Sequence, residues 1–145
     1  MARWTTPESL PKRYITWFFL SDAGRARVRI DGSEIVDCQW INPKIFLETD
    51  SYGKITMPPP TFVTISLLSL FEKMEDALSH FRKNEPLIFL PRIVPAQAGI
   101  CFLYPGDTSY ESGNIQAPGI RHRLTVSGKT WHYQKNGFET FRDFC

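Results

Sequence analysis

The chain has 145 residues, a length that suits one domain. Hydrophobic residues make up 42% and charged residues 22%, close to the globular average, which argues against wholesale disorder. A net charge of +2 is too small to indicate nucleic acid or a membrane surface as partner. No apolar run approaches the roughly 20 residues that span a bilayer, and Ile15 to Leu20 is too short for a signal-peptide core. The expected compartment is the cytoplasm. Three scattered cysteines, Cys38, Cys101 and Cys145, form no Cys-x-x-Cys pair and argue against a disulfide framework or a structural zinc site.

In chain order, residues 1–13 are polar and interrupted by Pro7 and Pro11, and no regular element is expected there. Tyr14 to Leu20 is β-branched and aromatic, which predicts a strand buried on both faces, with Tyr14, Thr16 and Phe18 on one side and Ile15, Trp17 and Phe19 on the other. Arg25 to Ile30 alternates arginine with Ala26, Val28 and Ile30, a half-buried strand or edge. Asp31-Gly32 marks a turn, and Glu34 to Ile41 reads as a further strand. Asn42-Pro43 is a helix entry, with Asn42 as N-cap and Pro43 in the first turn. Met57-Pro58-Pro59-Pro60 is stiff, and Thr61 is expected to cap a helix over 62–71.

A third helix is expected over 74–83, acidic at its start and basic at its end. Leu87 to Val94 is strand-like but broken by Pro91. Ile100 to Tyr104 is another strand, followed by a Pro105-Gly106-Asp107 turn. Arg121 to Val126 and Thr130 to Tyr133 form a hairpin about Ser127-Gly128-Lys129. Strands, then helices, then strands define an α+β class, a mixed sheet with packed helices.

The residues carry a family resemblance. Trp4-Thr5-Thr6-Pro7, then Arg13-Tyr14-Ile15-Thr16-Trp17-Phe18-Phe19-Leu20, resembles the segment after the catalytic helix in one branch of the Nudix hydrolases, the branch related to the peroxisomal coenzyme A diphosphatase. Glu34, Trp40 and Pro43 resemble the acidic residue, Trp and Pro that lead to its next helix. Met57-Pro58-Pro59-Pro60-Thr61 resembles a Leu-Pro-Pro-Pro-Thr block, and Leu103-Tyr104-Pro105-Gly106-Asp107 is similar to a Leu-Pro-Gly-Asp element.

The resemblance implies a partial Nudix-like fold, with residues 1–98 as the C-terminal half of the domain and 99–145 as a β-rich extension. It implies hydrolysis of a nucleoside-diphosphate-linked substrate such as coenzyme A, with Mg²⁺ or Mn²⁺ expected in an intact relative. The Nudix box, Gly-x5-Glu-x7-Arg-Glu-x2-Glu-Glu-x-Gly, does not occur in the 145 residues. In the family it lies immediately before the position of Ala2. The chain is therefore expected to hold no cofactor and to be inactive alone.

The resemblance makes Glu34 the candidate catalytic carboxylate, as base or supplementary metal ligand. Arg13 and Thr16 are candidate substrate-binding residues, facing phosphate or ribose oxygens at the mouth of the sheet. Asp31 and Asp37 complete the densest acidic cluster, but share strand parity with each other and not with Glu34. His122 and His132 lie in the two arms of the hairpin without a third metal ligand. The expected partner in an intact relative is a nucleotide-derived small molecule. The alternative is a non-catalytic interaction module, its unpaired sheet edge near Tyr14–Leu20 pairing with a second copy or a separate N-terminal half.

Overall fold

The computed structural model describes residues 1–24, 27–33, 35–48 and 57–143, with side chains up to residue 140. The fold is α+β, with two sheets and three helices among these residues. The first strand, β1 (Ala2–Thr5), lies at the centre of a three-stranded sheet. It pairs antiparallel with β2 (Ile15–Phe18) and parallel with β3 (Leu87–Phe89). Ala2 and Trp4 alternate inward and are buried, a period-two pattern hidden in the sequence by its polar neighbours.

The strand expected over Tyr14–Leu20 forms, but its burial does not. β2 is the outer strand of its sheet, and Ile15 and Phe19 are 64% and 84% exposed. The described parts of the two following strand candidates, residues 27–30 and 35–41, form no strand. Alternation supplies a face, but a strand also needs a ladder partner, and none of the described strands pairs with them. Val28, Val36 and Trp40 accordingly stay exposed. Cys38 is exposed, whereas Cys101 is in the core.

Helix α1 (Pro43–Glu48) begins where the sequence places it. Asn42 Oδ1 accepts from the backbone N–H groups of Lys44 at 3.0 Å and Ile45 at 3.1 Å. Helix α2 (Pro59–Leu68) starts three residues earlier than expected, because Pro58 rather than Thr61 is the N-cap. Pro59 and Pro60 occupy the first two positions, where a missing N–H costs nothing. Phe62, Val63, Ile65, Ser66 and Leu67 are all buried, so α2 runs through the core. The Ser66 hydroxyl is satisfied by donating to Phe62 O at 2.9 Å. Helix α3 (Met74–Lys83) has the expected charge polarity and buries only Ala77 fully.

After β3, Pro91 interrupts the chain and β4 (Arg92–Ala96) joins a different sheet. This is an antiparallel meander of β4, β5 (Gly99–Leu103), β6 (His122–Ser127), β7 (Thr130–Lys135) and β8 (Phe138–Asp143). The two sheets and α2 meet in one core around Trp4, Phe62, Phe89, Tyr104, Leu124 and Tyr133. Trp4 and Phe89 stack with centroids 3.9 Å apart, and Tyr104 stands edge-on to both.

Candidate functional site

An apolar groove of about 520 Å³ opens between β2, the start of α2 and the second sheet. Its size suits a small-molecule ligand. The antiparallel register sets Thr16 opposite Trp4 and Phe18 opposite Ala2, so Thr16 and Phe18 share Trp4's face of the sheet. Tyr14 continues that face, as the sequence parity implies, and all four side chains line the groove. The opposite wall is Pro58 to Thr61, with Phe102 from β5 below. The prolines make this wall stiff, so the groove exists before a ligand enters.

The structure brings Arg13 and Thr16 to the same region. Thr16 lines the groove directly. Arg13 is not among the lining residues; its Nε donates to the carbonyl of groove-lining Thr6 at 3.4 Å, and its guanidinium faces Glu8 at 3.8 Å. Thr6 and Tyr14 close this loop through Thr6 N–H to Tyr14 O and Tyr14 N–H to Thr6 Oγ1, each 3.0 Å. Trp17 points to the other face, where the Arg3 guanidinium sits 6.0 Å from its ring centroid. Glu34, the candidate catalytic carboxylate, lies outside the described residues.

Its acidic neighbours are occupied locally. Asp31 Oδ1 accepts from Ser33 N–H at 2.8 Å and Ile35 N–H at 3.0 Å, and Asp37 Oδ1 accepts from Cys38 N–H at 2.7 Å. His122 and His132 are not cross-strand partners, since His122 faces Lys135 and His132 faces Thr125. His132 instead meets Glu139 at 3.2 Å. Among the described residues no group of three His, Cys, Asp or Glu side chains is placed to hold a metal ion.

A buried polar cluster beside β6 was not legible as such in the sequence. Asp107 Oδ1 accepts from Ser109 N–H at 2.8 Å and Arg123 Nη2 at 2.5 Å. Its Oδ2 accepts from His122 N–H at 2.8 Å and Arg123 Nε at 2.7 Å. Burial alone would raise the Asp107 carboxyl, but these four donors outweigh it and hold it below the ordinary carboxylate range. Arg123 also donates to Ser109 Oγ and Ile115 O. The cluster pins the long loop between β5 and β6. The Pro105-Gly106-Asp107 turn was the one available signal for it.

No family model matches the chain, and no solved structure matches it. Curated proteins do. Putative nudix hydrolase 7 of Caenorhabditis elegans is 25% identical over 115 residues, which cover 78% of this chain and 39% of that protein. The acyl-coenzyme A diphosphatase NUDT19 of Homo sapiens is 28% identical, covering 97% of this chain and 38% of that protein. The Xenopus laevis acyl-coenzyme A diphosphatase NUDT19 is also 28% identical, covering 89% and 36%. The chain is thus weakly similar to Nudix hydrolases, and spans under two fifths of the length of each of these relatives. Among the described residues, no helix is long and apolar enough to cross a membrane.

Proposed function

We propose that the protein is Nudix-like, with hydrolysis of a nucleoside-diphosphate-linked substrate such as coenzyme A or an acyl-coenzyme A as its parent activity. The groove on the Trp4 face of the first sheet receives the apolar end of that substrate. The observation that supports this reading is the apolar groove itself, which Thr16 lines. An apolar slot fits the apolar end of such a molecule, and Arg13, bonded to the groove-lining Thr6, is the cation assigned to its anionic end. The printed activity of two relatives, acyl-coenzyme A diphosphatase, supports the same class. Arg13 and Thr16 bind substrate in this reading, and Glu34 supplies a carboxylate toward the diphosphate. The 145 residues contain no metal-binding box, so the chain alone does not turn over substrate.

Calorimetric titration of the 145-residue chain with octanoyl-coenzyme A, coenzyme A and 3′,5′-ADP tests the proposal. Tighter binding of the acyl compound than of the other two is expected. Equal or absent binding of all three overturns the groove assignment. Metal-dependent release of 3′,5′-ADP by this chain would overturn the expected inactivity.

A second reading rests on a separate observation. β2 is an outer strand among the described residues, and its exposed Ile15 and Trp17, with Phe19 just past its end, are large and apolar. Such an edge pairs readily with another strand. In this reading the chain is an interaction module that joins a second copy or a partner through β2. Light scattering showing a compact monomer at every concentration would count against self-pairing.

A further inference from the structure

Five buried side-chain polar atoms without a protein partner belong to neighbouring residues: Trp4 Nε1, Tyr104 Oη, His122 Nε2, Tyr133 Oη and Thr140 Oγ1. The groups are contiguous. The Tyr104 ring centroid lies 5.6 Å from Trp4, 5.1 Å from His122 and 6.4 Å from Tyr133. His122 and Tyr133 are 6.2 Å apart, and Thr140 is Tyr133's cross-strand partner. An unpaired buried polar group costs free energy comparable to a lost hydrogen bond, so one such atom is an exception and five together call for an occupant.

The chemistry of the set is complementary. His122 Nδ1–H donates to Pro105 O at 2.8 Å, which leaves a lone pair on Nε2. The hydroxyls of Tyr104, Tyr133 and Thr140 both donate and accept, and Trp4 Nε1 only donates. Neutral groups of mixed donor and acceptor character suit water rather than an ion. We propose that Tyr104, His122 and Tyr133 enclose a site for ordered water, with Trp4 and Thr140 at its two ends. Trp4 belongs to the three-stranded sheet and the other four to the meander or its flank, so the water holds one sheet on the other. Because Trp4 also lines the groove, the same water fixes one groove wall.

Thermal unfolding of the 145-residue chain with Tyr104→Phe, Tyr133→Phe and both tests the site. Each single variant is expected to lower Tm by about 3 °C, and the double by less than the sum. Unchanged or raised Tm in both single variants overturns the proposal, because truly unpartnered hydroxyls are better removed. Should either variant fail to fold, NMR of the unaltered chain decides. Cross-relaxation between water and the His122 or tyrosine hydroxyl protons supports the site, and its absence overturns it.

Discussion

Asp107 and Arg123 stand sixteen residues apart and meet in a two-point ion pair, with Nε and Nη2 at 2.7 and 2.5 Å from the two carboxylate oxygens. Both side chains are almost wholly buried. Removing the charge from one member strands the other in the core. Asp107→Asn is expected to cost about 3 kcal/mol in urea unfolding. Asp107→Asn combined with Arg123→Met should cost less than Asp107→Asn alone, because no uncompensated guanidinium remains. A double variant less stable than the single would contradict that account.

Acid should unfold the protein in two stages. Burial first, against the Pro105 hydrogen bond, lowers the His122 pKa below its ordinary value near 6.5. The unfolded chain therefore takes up this proton first, and stability falls as pH drops from about 6.5 toward the folded pKa. Asp107 is held low as well, so its contribution is complete above about pH 4 and is lost as pH falls through its folded pKa. His122→Asn keeps a donor for Pro105 O and removes the titration. Tm measured between pH 8 and 3 should lose its first decline in this variant and keep the second.

Thr16 is exposed and lines the groove opposite the proline wall. Thr16→Trp should fill the slot and weaken octanoyl-coenzyme A binding at least ~10-fold, about 1.4 kcal/mol. Its effect on Tm should be small, within the usual range of surface substitutions. Unchanged affinity would place the ligand elsewhere.

Self-association through β2 depends on apolar side chains at the edge. Ile15→Lys with Phe19→Lys places charges there, as natural edge strands do. Sedimentation should show the unaltered chain shifting to dimer with concentration and the double variant remaining monomeric. Dimer formation that survives both lysines would point to a different surface.

Gly99 opens β5 against the β6 backbone, and a Cβ there would lie 2.0 Å from Val126 O. The obstacle is main chain, which cannot step aside as a side chain does. Gly99→Ala should cost about 2 kcal/mol or more, read by thermal unfolding. A neutral Gly99→Ala would mean that the β5–β6 ladder yields locally.

Local signals predicted local structure well. Asn42-Pro43 placed α1, the charge polarity of 74–83 placed α3, and Ser127-Gly128-Lys129 placed the β6–β7 hairpin. Pairing was much less legible. Ala2–Thr5 forms the central strand of its sheet, although four residues among prolines and charges carry almost no periodic signal. Residues 27–30 and 35–41 carry a stronger pattern and form no strand, because pattern does not provide a neighbour. For the site, the face shared by Tyr14, Thr16 and Phe18 followed from parity alone. The groove did not, since its other wall arrives from Pro58–Thr61 and Phe102, far away in sequence. Asp107 and Arg123 were hidden for the same reason.

Trp4 is at once groove wall, stacking partner of Phe89 and neighbour of Tyr104. A side chain with three duties has little freedom to vary for the sake of one. Change in what the groove accepts must therefore come from lining residues such as Leu10 and Tyr14, which are exposed and stand outside the core. Trp4 is the hinge pin of any redesign: the slot can be reshaped around it, but not through it.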